Sequence, residues 1–254
     1  HFADAVYEVI TVYNYNLLFW LEHIKRLKKS LKALDIKFNK EYSSLFFKCK
    51  ELISINNLKE GIIYIHISRG TAKRNHNWNS LVSPDLIISC IYKRTFDPNS
   101  KKISLISDKD IRWKNCHIKT VSLLPNVLLK QKAYMQNAQE CVMIDKEGYI
   151  TEATTSNIWI IKNREIITTP LTSNILAGVT RQKLIDFAKE LKIKVIEKKF
   201  RENDIYNSDA TFISNSSSII LEVKKINEKK IKLDKTNILK KIKIKILESI
   251  NNAK

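Results

Sequence analysis

A turn-rich break, Phe96-Asp97-Pro98-Asn99-Ser100, limits how this chain can fold more than any other feature. It separates two regions of periodic hydrophobic sequence, and a proline among small polar residues suits a linker better than a helix or strand. A chain of 254 residues can bury one large core or two modest ones, and the break favours two. The expected organisation is a smaller N-terminal domain over residues 1–96, a linker over 97–100 and a larger C-terminal domain over 101–254.

Before the break, Val6 to Val12 is β-prone and Asn14-Tyr15-Asn16 reads as a turn, which predicts a hairpin whose second arm carries Leu17 to Leu21. Ile24, Leu27, Leu31 and Leu34 then recur at helical spacing, and a second helix is expected from Lys40 to Ile53. Ile62–Ile67 and Leu86–Tyr92 read as strands on either side of a polar loop from Thr71 to Ser80. Beyond the break, Leu123 to Asn137 predicts a helix that tolerates Pro125 in its first turn. Cys141–Ile144, Ile158–Ile161 and Thr211–Ile213 read as strands. An amphipathic helix follows Gly178-Val179-Thr180-Arg181, with Thr180 suited to N-cap it, and a terminal helix is expected from Thr236 to Ile250. With no internal repeat, the fold class is α+β in two domains.

Composition narrows the function classes. An apolar share of 44% is ordinary for a globular chain, and no apolar run approaches the roughly twenty residues that span a bilayer. Acidic Asp4 and Glu8 stand where a secretory leader would be basic. The chain starts at His1 and its first methionine is Met135, so some N-terminal structure is expected to be missing. Cys49, Cys90, Cys116 and Cys141 are scattered without close pairing, which fits neither a metal site nor a disulfide framework and points to the cytoplasm. The net charge of +19 invites a nucleic-acid reading. The lysines are spread along the whole chain, however, as a compositional bias would spread them, and are not interleaved with aromatics as on a base-stacking platform.

Three local patterns could carry chemistry. Gly178-Val179-Thr180 opens a helix, where unpaired N–H groups and a hydroxyl suit a phosphate, although most glycines before helices only shape loops. The polar run Ser214 to Ser218 after a strand offers further donors. Lys119 lies between apolar and small residues, Ile118 and Val121-Ser122-Leu123-Leu124. Desolvation makes an amine in such a setting a usable nucleophile and base, whereas a strand lysine facing solvent is the plainer alternative. Glu152 is by itself only a turn carboxylate.

Four separated segments, in order, resemble the fold-type IV pyridoxal-phosphate family, which includes D-amino acid aminotransferases, branched-chain aminotransferases and aminodeoxychorismate lyases. They are Asp4-Ala5-Val6-Tyr7-Glu8-Val9, Glu22-His23-Ile24-Lys25-Arg26-Leu27, the run Asp110 to Lys132 containing Asp110-Ile111-Arg112-Trp113 and Ile118-Lys119, and Thr151 to Asn157 continuing to Gly178-Val179-Thr180-Arg181. The resemblance implies a smaller N-terminal α/β domain, a larger β-rich C-terminal domain with helices, and pyridoxal 5'-phosphate as cofactor. It implies Lys119 as the catalytic residue that attaches the cofactor and moves a proton. Glu152 would face the pyridine nitrogen, Arg26, Val179, Thr180 and Ser216 would hold the phosphate, and Leu176 would pack on the ring.

Arg69-Gly70-Thr71-Ala72-Lys73-Arg74-Asn75-His76 resembles the D-amino acid aminotransferase loop. That likeness implies a substrate carboxylate held by Tyr7, Arg74 and His76, the last two reaching in from a neighbouring subunit, and hence a homodimer. The implied reaction exchanges an amino group between a D-amino acid, such as D-alanine, and a 2-oxo acid, such as 2-oxoglutarate. The chain departs from the family at Ala153, where glycine is usual, at Asn215-Ser216, and after Ser218, where proline is expected. An L-specific branched-chain aminotransferase or an aminodeoxychorismate lyase is the alternative within the family. A basic nucleic-acid-binding or catalytically decayed protein is the alternative outside it.

Overall fold

The structure, a computed structural model, describes residues 2–78, 82–95 and 100–252. The linker predicted at 97–100 falls mostly on residues 96–99, outside the described residues, as do residues 79 and 80 of the predicted polar loop. The fold is α+β. The backbone divides into two compact units, one running to Thr95 and including Ile118–Ser122, the other formed by the residues around that insert and after it.

In the first unit, β1 (Ala5–Tyr13) is rich in β-branched residues and buries Val6, Ile10 and Val12. It pairs antiparallel along its whole length with β3 (Glu60–Ser68), which pairs in turn with β4 (Asp85–Tyr92). The short β2 (Asn16–Leu17) completes a sheet of order β2-β1-β3-β4. The hairpin's predicted second arm stops at Leu17. Phe19 takes a left-handed conformation with φ 55°, which ends the extended backbone, and α1 (Trp20–Ala33) starts on the next residue. α1 and α2 (Tyr42–Ile55) bury Ile24, Leu27, Leu31 and Leu45, Cys49, Ile53 against Ile63, Ile65 and Ile67 of the sheet. Residues 118–122 run beside β1: the Tyr7 N–H donates to the Lys119 carbonyl at 3.0 Å and the Val121 N–H to that of Ala5 at 3.1 Å. These bonds explain why the segment groups with the first unit.

In the second unit, strands follow in chain order as β5 (Ile103–Lys109), β6 (Glu140–Ile144), β7 (Ile150–Ala153), β8 (Asn157–Lys162), β9 (Glu165–Thr168), β10 (Val195–Glu197), β11 (Ala210–Asn215), β12 (Ile219–Ile226) and β13 (Lys229–Lys230). They form a mixed sheet of order β10-β9-β8-β11-β12-β5-β6-β7, with β13 added on β12. β8 and β11 are buried along nearly their whole length, with Trp159 stacked on Phe212 at 5.6 Å, which explains their continuous apolar runs. α3 (Leu124–Met135) packs Leu129 and Ala133 against Ile106, Cys141 and Met143. The remaining helices are α4 (Val179–Glu190), α5 (Glu202–Tyr206) and α6 (Ile238–Asn252). Thr180 is not the N-cap of α4. Gly178 holds that place with extended backbone, and Thr180 lies within the first turn. Among the described residues, no helix is long and apolar enough to cross a membrane.

Candidate active site

Within the first unit, Lys119 is half-buried beside β1, its N–H donating to Ser30 Oγ of α1 at 3.1 Å. Its Nζ lies 4.1 Å from the centre of the Tyr7 ring, a cation–π contact that places amine and phenol side by side. Tyr7 stacks on Tyr64 at 5.4 Å, and Tyr64 touches the His66 ring at 6.3 Å. Burial raises the Tyr64 hydroxyl pKa, and Tyr7 adds to the shift. In the exposed loop, the Arg74 guanidinium lies 5.1 Å from the centre of the Phe2 ring and the His76 ring 4.8 Å from it.

Next to Tyr7 on β1, Glu8 points to the opposite face of the strand and is fully buried. Arg26 of α1 grips it with two hydrogen bonds, Nε to Oε1 at 2.8 Å and Nη2 to Oε2 at 2.7 Å. His23, one helical turn earlier, donates from Nδ1 to Oε2 at 2.7 Å. Burial would push the Glu8 carboxyl up, but the Arg26 charge and the bonds from Arg26 and His23 outweigh it and hold the carboxyl at about 2. Burial lowers the His23 pKa, against the pull of Glu8, so His23 serves as a neutral donor. Arg26 therefore stands in the first unit as an oriented cation, its guanidinium plane set by Glu8.

In the second unit, Glu152 lies on β7, 5% exposed, and is held from three directions. Arg112 Nη1 donates to Oε1 at 2.5 Å, Asn157 Nδ2 to Oε2 at 3.2 Å, and the Leu176 N–H to both oxygens at 3.3 Å. Arg112 is committed elsewhere too, forked onto Asp110 at 3.0 and 2.7 Å and bonded to the Asn174 carbonyl at 2.9 Å. Burial raises the Glu152 carboxyl to about 7 against the pull of Arg112. For Arg112 burial acts downward, but the Asp110 bonds and the Glu152 and Asp110 charges overcome it and secure the cation.

Leu176 is half-buried in the loop before α4, while Val179 and Thr180 are each 4% exposed in its first turn. The buried Arg181 behind them bonds Glu197 at 2.7 Å and the Thr169 carbonyl at 3.0 Å, which ties the start of α4 to the ends of β9 and β10. Ser216 lies half-buried in the turn between β11 and β12. Asn215 shapes that turn by accepting from the Ser218 N–H at 2.8 Å and donating to Ser156 Oγ at 2.9 Å. Ser214, predicted as a further donor, is buried within β11 and accepts a bond from Trp159 Nε1 at 2.9 Å.

The structure thus brings Lys119 to Tyr7 in one unit, and Glu152 to Leu176 in the other. Sequence reasoning assigned no role to Glu8, His23, Tyr64, Asp110, Arg112 or Asn157. Their signal was faint: Tyr64 and His66 stand two residues apart, which is strand spacing for one face, while Asp110 and Arg112 lie just past the end of β5, where no period marks them. Asn157 gave no sign beyond its place at the head of a strand. Among the described residues, no group of acidic, histidine or cysteine side chains could hold a metal ion.

A model of the amino-transferase class IV family matches residues 5–226. The D-alanine aminotransferase of Bacillus licheniformis is 35% identical over 228 residues, covering 89% of this chain and 80% of that protein. Among solved structures, a putative 4-amino-4-deoxychorismate lyase of Legionella pneumophila superposes with a TM-score of 0.88 at 26% identity, covering 97% of this chain and 91% of its own. A branched-chain amino acid aminotransferase of Escherichia coli gives a TM-score of 0.87 at 24% identity, covering 97% of this chain and 85% of its own, a likeness of fold.

Proposed function

This chain belongs to the amino-transferase class IV family, and on that premise we propose that it exchanges an amino group between a D-amino acid, such as D-alanine, and a 2-oxo acid, such as 2-oxoglutarate, with pyridoxal 5'-phosphate as cofactor. The observation that carries the substrate side is the likeness to D-alanine aminotransferase across most of the chain. The residues present fit the cofactor chemically. Glu152 is a buried acceptor suited to a ring N–H. Arg26 is an oriented cation, and the start of α4 with the Thr180 and Ser216 hydroxyls supplies donors suited to a phosphate.

When bound, pyridoxal 5'-phosphate supplies an aldehyde that takes up the amino group and a ring that accepts electrons. Lys119 Nζ would hold it and would move a proton at the substrate Cα. Glu152 would face the ring nitrogen and keep it protonated. Arg26 in the first unit, and Val179, Thr180 and Ser216 in the second, would hold the phosphate, and Leu176 would pack against the ring. Tyr7, Arg74 and His76 bind the substrate carboxylate, with Arg74 and His76 contributed by the second subunit of a homodimer. Their exposure in this chain supports that reading. Fixing the carboxylate on one side leaves only one enantiomer with its Cα–H toward Lys119. Four free thiols support a cytoplasmic setting.

The structural likeness to branched-chain aminotransferases and an aminodeoxychorismate lyase supports a second reading, in which L-amino acids or aminodeoxychorismate are the substrates. One experiment separates them. Purified protein is mixed with pyridoxal 5'-phosphate, and its absorbance is followed after D-alanine or L-leucine is added. A visible band that D-alanine bleaches, L-leucine leaves and Lys119→Ala abolishes is the expected result. Bleaching by L-leucine alone would hand the function to the second reading.

A further inference from the structure

Asn157 opens β8 with its side chain buried, 5% exposed, and both hydrogens of its amide are committed. One donates to Glu152 Oε2 at 3.2 Å and the other to the Leu176 carbonyl at 3.0 Å. A carboxylate and a carbonyl accept and never donate, so these partners assign the NH2 group to that side and turn Oδ1 the other way. On that other side is Gly178, the N-cap of α4. A Cβ there would lie 2.2 Å from Oδ1. Gly178 has φ −63° and ψ 134°, a conformation open to any residue, so glycine is needed for room and not for backbone freedom. One side chain therefore touches the carboxylate on β7, the loop that carries Leu176 and the start of α4.

We infer that Asn157 is a positioning residue that locks the Glu152 carboxylate to the turn bearing Leu176 and Gly178-Val179-Thr180, so that nitrogen-facing and phosphate-facing groups of this unit shift together. The inference rests on the proposed reading that these residues hold the cofactor. Aspartate, the same shape, would present an anion to Glu152 and an acceptor to the Leu176 carbonyl, so shape alone cannot replace the donors.

Four proteins test this: Asn157→Asp, Asn157→Ala, Gly178→Ala and the Asn157→Ala/Gly178→Ala double variant, each titrated with pyridoxal 5'-phosphate and read by its visible absorbance band. Asn157→Asp and Asn157→Ala weaken cofactor binding about tenfold or more, the factor carried by one hydrogen bond to a charged group. In Asn157→Ala, the pH at which the band changes moves up by about one unit, because an ionised Glu152 has lost a donor. Gly178→Ala weakens binding as well, by pushing Oδ1 away. In the double variant the loss stays close to that of Asn157→Ala alone, since the severe obstruction, Oδ1, is gone and Arg181 Cβ, at 3.2 Å, need give by only a few tenths of an ångström.

Circular dichroism melting accompanies each titration. If Asn157→Asp fails to fold, Gly178→Ala against the double variant still decides. Asn157→Asp with wild-type affinity and pH response, or losses that multiply in the double variant, would overturn the inference while leaving the function standing. Wild-type protein that gives no band sinks the cofactor reading, and this inference with it.

Discussion

Arg112 reaches Glu152 at 2.5 Å, a separation that ordinarily keeps a carboxyl ionised far into acid, yet burial leaves this one near 7. Burial is the main cause, and the company Arg112 keeps adds to it. Asp110 takes a two-pronged share of the guanidinium and adds its own negative charge to the neighbourhood of Glu152. On the proposed reading, a protonated ring nitrogen would supply the cation that Asp110 withholds. The consequence for stability follows from linkage. The Glu152 pKa is 4.5 unfolded and about 7 folded, so between those values the folded chain keeps a proton that the unfolded chain has released. Stability from this group is complete below the unfolded value and drains away as pH rises through 7, in total about 3 kcal/mol. His23 works in the opposite sense, since its folded pKa lies below 6.5 and its neutral form gains stability as pH rises. A comparison with Glu152→Gln cancels that background. Urea denaturation of the cofactor-free proteins at roughly pH 5 and pH 8 should show the wild type losing stability relative to Glu152→Gln. A constant gap between the two would mean that Glu152 ionises normally in the fold.

At the scale of elements, a buried charged cluster joins β1 to α1 in the first unit. Removing the anion takes from Arg26, 8% exposed, the carboxylate that it grips with two hydrogen bonds. Breaking a buried pair from one side costs about 3–5 kcal/mol, far more than a surface pair contributes. Glu8→Gln should therefore speed amide exchange in β1 and α1 while β8 and β11 keep their protection. Equal loss in all four elements would show that the cluster does not act locally. The helices and the long strands were legible because their hydrophobic periods are unambiguous: α1 and α2 lie within a few residues of the predicted ranges, and β3, β4, β8 and β11 contain the predicted runs. β5, β9 and β12 were not read. Ser104 and Ser107 interrupt the first, the second is only four residues long, and Ile219, with φ 59°, starts the third in a conformation unusual for a β-branched residue. The site was legible only where the chain itself keeps neighbours together, as at Gly178-Val179-Thr180. The Arg112–Glu152 and Asn157–Leu176 contacts join residues 40 and 19 positions apart, and only the folded chain, which sets loops against strand ends, supplies them.

For the whole molecule the dominant fact is charge. Lysine and arginine number 45 against 26 acidic residues, a surplus of 19 positive charges. Ion pairs such as Lys194–Glu165 and Lys199–Glu147 neutralise a few of them at the surface, and each contributes about 0–1 kcal/mol. The cations left over repel one another across the folded surface, more strongly than in the expanded unfolded chain. Salt weakens both effects, because the screening length falls from about 30 Å at 0.01 M to about 8 Å at 0.15 M. The sign of the net change tells which prevails. With repulsions outnumbering attractions, added sodium chloride should raise the melting temperature, by roughly 2–4 °C for each kcal/mol of repulsion removed. Buried pairs such as Arg26–Glu8 and Arg112–Glu152 are screened least, so they do not reverse the trend. A melting temperature that falls with sodium chloride would show that paired surface charges outweigh the surplus, and that the lysines are arranged in favourable networks rather than merely abundant.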